Sequence, residues 1–490
     1  MSLPSPSTAF LTDQILKRTI SRCPACHRLC PAEVRRTGGF PAKVFLKRTC
    51  PNHGETSVCI ASDARFYWLA KGRPENSCCD GQACRASDQE PAGTLGRNAD
   101  PADALGIPEK LSTCLALIEI VHSCNLPCPT CYANSPMGRG SEVEAVPLDE
   151  LKNRIQSVID RKGGIEILQL SGGEPTLHPQ FFELLRWLRK HPNIDYVLLN
   201  TNGVRIAHDA AFARELGAAF HYGAFQLYLQ FDGIQKEGQG FLRGADLRAT
   251  RERCIEVCGK LKLPITLAMT VTADNLSFLW DAIAFGLQFP HVRGISFQPM
   301  FMSGRVPEPV SKPTSRAASP GLLARSGDTA SATPKLAAIR IAQDRLNTAD
   351  IILAAVAQSG GQLRFEDFTP LPCGDPNCAT IGYLLKVGGR VRSVSDFIDF
   401  TQVQGFLHDK VRYKLEDLMK CGCESEPLGD LLKQFELDES NTFRLFIKPF
   451  MDAATWDEDR IDRCCTHVIR PDGRLDSFCR YYSGITDNKQ

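Results

Sequence analysis

The chain has 490 residues, 43% of them hydrophobic and 23% charged, with a formal net charge of +1, the composition of a globular protein of two to four domains. Near-neutral charge argues against nucleic acid as a partner of the whole molecule. Its 21 cysteines are too few and too clustered for a disulfide-stapled secreted scaffold, the N-terminus lacks the basic-then-apolar order of a signal peptide, and no apolar run approaches a membrane span. The expectation is a cytoplasmic protein whose clustered thiols hold metal.

Residues 1–72 carry two knuckles, CPAC (Cys23, Cys26) and CPNH (Cys50, His53), around a β-rich stretch. That spacing predicts a four-coordinate zinc or mononuclear iron site, and a ribbon this small needs the metal to fold. Lys17 to Arg48 holds nine Lys/Arg and one acid, Glu33, a basic stretch suited either to solvent or to the head groups of a membrane touched peripherally. A connector, 73–114, follows with CCDGQAC (Cys78, Cys79, Cys84) and Cys114.

From 115 to 302 short β-rich runs alternate with amphipathic ones. The predicted strands are LALIEIV (115–121), IEILQL (165–170), YVLLN (196–200), FQLYLQF (225–231), ITLAMTV (265–271) and GISFQP (294–299). Six β/α units imply an α/β fold, a partial (β/α)6 barrel with its chemistry at the C-terminal strand ends. Cys254 and Cys258, four apart on a predicted helix, are expected to pack in the outer layer. Residues 303–340, rich in Pro, Ser and Ala, read as a flexible insertion. A C-terminal region, 341–490, brings LPCGDPNC (Cys373, Cys378) and DRCCTHVIRPDGRLDSFC (Cys464, Cys465, Cys479). With Cys79, Cys84 and Cys114 these make eight thiolates, enough for two auxiliary iron-sulfur clusters. Cys30, Cys59, Cys421 and Cys423 receive no assignment.

Directly after the first strand, VHSCNLPCPTCYANSP places Cys124, Cys128 and Cys131 on one loop. Three thiolates there suit a cubane cluster with one iron left open, and Pro127 and Pro129 stiffen the loop. After the second strand, Ser171-Gly172-Gly173-Glu174-Pro175 offers paired glycines for close ligand approach and a carboxylate for an ammonium group.

The C-x3-C-x2-C loop and the SGGEP turn together resemble the radical S-adenosylmethionine (radical SAM) superfamily. The resemblance implies a [4Fe-4S] cluster on Cys124, Cys128 and Cys131 as the catalytic centre and SAM held by Gly172, Gly173 and Glu174. It places Tyr132 near the adenine, and makes Asn202, Gln230 and Asp232 further SAM contacts, with Gln298 another at the sixth strand. It also implies reductive cleavage of SAM to a 5'-deoxyadenosyl radical, fed by an electron donor such as ferredoxin or flavodoxin. Three longer segments, STCLALIEIVHSCNLPCPTCYANS, FEDFTPLPCGDPNCATIGYLL and FMDAATWDEDRIDRCCTHVIRPDGRLDSFCRYY, resemble the tetraether synthase branch. Gly81, standing where that branch has a cysteine, and the 303–335 insertion depart from it. The branch implies carbon-carbon coupling of lipid chain ends, which would need a long apolar channel. The alternatives are a pterin methyltransferase-like enzyme, a peptide-modifying radical SAM enzyme, and a non-catalytic metal protein, against which the SGGEP turn argues.

Overall fold

The computed structural model describes residues 13–70, 109, 111–138, 140–220, 224–307, 345–371, 374–387, 390–396 and 441–483. Among them no helix is long and apolar enough to cross a membrane. The first unit is a four-stranded antiparallel meander, β1 (Gln14–Arg22), β2 (Leu29–Arg36), β3 (Val44–Cys50) and β4 (Gly54–Ala61). Its apolar core is small: Ala32, Val34, Val44, Leu46, Val58 and Ala61.

The second unit is built on β5 (Leu115–Val121), β6 (Leu168–Gly172), β7 (Val197–Thr201), β8 (Phe225–Gln230), β9 (Ile265–Val271) and β10 (Val292–Pro299), parallel and adjacent in chain order. Helices α1 (Leu148–Lys162), α2 (Phe181–Lys190), α3 (Val204–His208), α4 (Ala210–Ala219), α5 (Gln239–Arg243), α6 (Arg248–Lys260) and α7 (Leu279–Leu287) fill the connections. In α1 the buried stripe Leu148, Leu151, Ile155, Val158 and Ile159 follows the helical period, with acids in the first turn and bases in the last. Cys254 and Cys258 are buried on α6.

The residues expected to form a C-terminal region also build this sheet. After α8 (Thr348–Gln358) come β11 (Thr369–Pro370), β12 (Thr380–Val387), β13 (Arg390–Ser393) and β14 (Thr442–Ile447). Then follow α9 (Glu458–Asp462), β15 (Thr466–Ile469), β16 (Leu475–Ser477) and α10 (Phe478–Tyr482). β14 lies parallel to β10 and β15 parallel to β5, so both edges of the six-stranded sheet are extended by the chain's last segment. β12, antiparallel to β14 and paired in turn with β11 and β13, extends one edge, and β16, antiparallel to β15, closes the other.

Three sequence expectations change. The second strand runs from Leu168, not Ile165: Ile165 bridges Ile194 outside the ladder, and the strand continues into Gly172, which pairs with Val121. Residues 303–307 are ordered against the cysteine loop, with Cys131 and Arg305 exchanging backbone hydrogen bonds of 2.8 and 2.9 Å; residues 308–340 lie outside the described ones. The basic stretch is partly consumed in docking. Lys17 pairs with Asp457 and Asp459 at 2.7 and 2.8 Å, and the buried Arg48 donates to the Ala453 carbonyl at 2.9 Å. Arg22 lies over the Trp456 ring at 5.4 Å. Three of the nine cations of that stretch thus fasten the ribbon to the segment ahead of β15.

Candidate active site

Inward-facing residues alternate along each strand, as the period of two requires, and enclose a cavity of about 530 Å³. Along β8 it runs from Ala224 past Gln226 and Tyr228 to Gln230, six residues or about 20 Å of strand. Cys124, Cys128 and Cys131 line its upper end, after β5. Burial pushes the Cys124 thiol up to about 12, with Glu174 adding to it, and burial also raises Cys128. Three thiols on one loop at the cavity wall match the donor set that would hold a cubane with one iron left without a protein ligand.

The glycine pair lines the cavity and has a further task within the chain itself. A Cβ on Gly172 would stand 2.0 Å from the Val121 carbonyl oxygen, and one on Gly173 2.0 Å from that of Ser123. Gly172 also has φ near 116°. What the glycines admit is the backbone of the cysteine loop: Gly173 N–H donates to Val121 O at 2.8 Å, and Glu174 N–H to Ser123 O at 3.0 Å. The two motifs are hydrogen-bonded into one rigid floor.

Glu174 is buried, and its carboxylate accepts from the Thr176 and Thr201 hydroxyls at 2.7 Å each and from Asn202 N–H at 2.8 Å. Burial outweighs these donors and raises its pKa. Asn202 reaches Asn125 Oδ1 at 2.7 Å and lies 3.9 Å from Cys124 Sγ. The Tyr132 ring sits among Phe301, Phe478 and Tyr482, at 6.3, 5.5 and 4.8 Å between centroids, and its hydroxyl is 3.3 Å from Ser171 Oγ. Tyr481 and Tyr482 donate to Glu119 at 3.0 and 2.8 Å, locking α10 over this end of β5.

Gln230 and Gln298 line the cavity, whereas Asp232 does not. Burial alone would raise the Asp232 carboxyl, but Arg243 and Arg251 hold it below the usual carboxylate range. Arg243 grips it through two hydrogen bonds of 2.7 and 2.8 Å. The residue presented to the cavity is Arg243, missed in the sequence because α5 carries it eleven positions beyond its partner. Leu242 O accepts from Thr130 Oγ1 at 2.9 Å, so the end of α5 packs on the cysteine loop.

Of the eight further thiols, Cys114, Cys378, Cys464, Cys465 and Cys479 line the same cavity; Cys79, Cys84 and Cys373 lie outside the described residues. Burial pushes Cys378 and Cys464 up to about 12 and Cys479 up to about 11. In the ribbon, the ligand atoms of Cys23, Cys26, Cys50 and His53 lie within 4.8 Å of one another, a fit for one tetrahedral ion. Although burial works against it, the backbone N–H groups of Asn52 and His53 and the His53 ring hold the Cys50 thiol down to about 6. Cys30, unassigned from sequence, is buried against Cys23 and Cys50. A cysteine on an inward strand position beside a knuckle was the available signal.

Residues 118–283 match the Radical SAM superfamily, and residues 15–62 match the HMPTM N-terminal zinc ribbon domain. The chain is 25% identical over 531 residues to the 7,8-dihydro-6-hydroxymethylpterin dimethyltransferase of Methanocaldococcus jannaschii, covering 95% of this chain and 93% of that one. It is 26% identical over 186 residues to a GTP 3',8-cyclase of Syntrophomonas wolfei, 37% of this chain and 55% of the relative. Among solved structures, Streptococcus suis SuiB aligns at a TM-score of 0.33 and 16% identity over 40% of this chain and 42% of that one.

Proposed function

We propose that this chain, an enzyme of the radical SAM superfamily with an N-terminal zinc ribbon, transfers methyl groups to a reduced pterin or a closely similar heterocycle. The observation that carries the reading is the cavity wall, in which aromatic and aliphatic surface is interrupted by Gln169, Asn200, Gln226, Gln230 and Gln298. A flat heterocycle takes apolar surface on its faces and amides on its donor- and acceptor-bearing edge. The Gln169 amide makes no hydrogen bond with another described residue, so it is available to such an edge. A lipid chain end would strip water from the Gln169 amide and return nothing. The end-to-end similarity to the pterin dimethyltransferase supports this reading over lipid coupling.

In this reading Cys124, Cys128 and Cys131 hold the [4Fe-4S] cluster and Glu174, fixed by its donors, faces the SAM ammonium group. Asn202 steadies the first cysteine and Tyr132 flanks the adenine. When bound, the cluster would supply the electron that cleaves one SAM to methionine and a 5'-deoxyadenosyl radical, which takes the hydrogen from the heterocycle as 5'-deoxyadenosine. A second SAM would give the methyl group and leave as S-adenosylhomocysteine, the reductant supplying the second electron. The residues around it position SAM and keep water out: α10 and its aromatic ring contacts cover the cysteine loop. Cys378, Cys464, Cys465 and Cys479 would hold an auxiliary cluster at the same cavity.

The test is anaerobic incubation of reconstituted enzyme with SAM, a reductant and 6-hydroxymethyl-7,8-dihydropterin, followed by mass spectrometry. A product heavier by one or two methyl groups, absent with Cys128→Ala, is expected. SAM cleavage with no methylated pterin, alongside a joined lipid or altered peptide when those are supplied, would overturn the assignment.

A further inference from the structure

Five cationic side chains line the cavity, Arg243, Arg293, Arg305, Arg444 and Lys448, against one carboxylate, Glu174, among the described residues. Three of the five have tasks at the thiols. Arg243 is held by Asp232 beside the cysteine loop. Arg305 donates to the Cys128 and Ser135 carbonyls at 2.8 and 3.2 Å. Lys448 donates to Thr466 Oγ1 at 2.7 Å and acts on the Cys464 and Cys479 thiols.

Arg293 and Arg444 lie elsewhere. Arg293 is the second residue of β10, and Arg444 on β14 pairs in register with Gly294, so the two are neighbours at the N-terminal half of the barrel. Gln226, on β8, accepts from Tyr196 Oη at 3.1 Å and from Arg444 at 3.4 Å. From Gln226 to Gln230 is four residues, about 13 Å of strand towards the cysteine loop. Both side chains line the cavity, and the planar fork of donors on each guanidinium matches the oxygens of a phosphate or carboxylate.

We infer that Arg293 and Arg444, with Tyr196 and Gln226, form an anion subsite that binds a phosphate or carboxylate on the far end of the substrate. The inference rests on the heterocycle reading above and narrows it: the substrate is an anionic derivative, for a pterin an ester of its hydroxymethyl arm. The reacting end then points at the cysteine loop and the anionic end at the barrel's N-terminal mouth.

Calorimetry on the reconstituted, SAM-loaded enzyme tests this with three probes: 6-hydroxymethyl-7,8-dihydropterin, its phosphate monoester and inorganic pyrophosphate. The monoester is expected to bind at least roughly tenfold more tightly than the alcohol, an advantage that fades with salt. Arg444→Gln and Arg293→Gln, checked for unchanged iron content and circular dichroism, should erase that advantage while Arg444→Lys keeps part of it. Equal affinity of wild type for ester and alcohol, or an Arg444→Gln variant that weakens both alike, overturns the subsite. Pyrophosphate bound by wild type and lost in Arg444→Gln, with neither pterin bound, upholds the subsite and refutes the pterin reading. Methylation of the alcohol with no pyrophosphate binding does the reverse.

Discussion

Substituting Gly173 by alanine tests whether the glycine pair serves the protein backbone or the ligand. The new Cβ would meet Ser123 O at 2.0 Å, Ser123 C at 2.4 Å and His122 O at 2.7 Å, all backbone atoms that no side-chain rotation can move away. Relief requires the cysteine loop to separate from the β6 turn, breaking the bonds from Gly173 N–H to Val121 O and from Glu174 N–H to Ser123 O. A buried backbone group left unpaired costs about 1–3 kcal/mol, so two such losses amount to about 2–6 kcal/mol. At roughly 2–4 °C per kcal/mol for a domain of this size, the Tm should fall by roughly 5 °C or more. The displaced loop also carries Cys124, so iron bound after anaerobic reconstitution should drop well below wild type even at temperatures where the variant is folded. Gly163→Ala, at a glycine with φ near 96° and open space around it, controls for backbone strain alone. If Gly173→Ala takes up full iron at wild-type Tm and loses only SAM affinity, the glycines serve the ligand and the reasoning fails.

Asp232→Asn removes the counter-charge of the buried Arg243 and Arg251 and should cost about 3–5 kcal/mol in denaturant unfolding, as for other broken buried pairs. A loss in the range of an exposed pair, about 0–1 kcal/mol, would contradict this. Burial lowers the pKa values of His178 and His291. In His178, Nε2 donates to Val146 O at 2.8 Å while Nδ1 accepts from Gln180 N–H at 3.1 Å, which fixes the neutral ring. Below pH 6.5 the unfolded chain takes up protons that the folded one refuses, so stability should decline as pH falls from 6.5 through the depressed folded values. Tm measured against pH should show a shallower decline in His178→Gln, and an unchanged slope would exclude His178 as a source. Cys26→Ser should release one metal ion per chain and leave the meander, with its six-residue apolar core, exchanging amide hydrogen rapidly over residues 14–61. Retained protection there would show that docking through Lys17 and Arg48 suffices without metal.

What was legible in the sequence and what was not divides by the range of the interaction. Leu115–Val121 and Ile265–Val271 are legible to the residue, and β7 and β8 to within one, because each run carries its own apolar pattern bounded by its own turns. The cysteine loop, the SGGEP turn and the ribbon knuckles were equally local, since a few residues supply all the donors. β14 and β15 escaped because what makes them parallel strands is pairing with β10 and β5, in register Gly294 with Arg444 and Leu115 with Thr466. No window of sequence contains both partners. The same distance hid Arg243, Arg293 and Arg444, each an ordinary surface-type residue until the barrel turns it inward. It also hid the docking of the ribbon, whose Lys17 finds its acids 440 and more positions away. One consequence joins fold and chemistry: the segment between β14 and β15 brings Cys464 and Cys465 to the edge of β5, while α10 brings Cys479 and the aromatic cover. Closing the sheet and completing the thiol set are therefore one folding event, and weakening the Glu119 contacts to Tyr481 and Tyr482 should loosen both together.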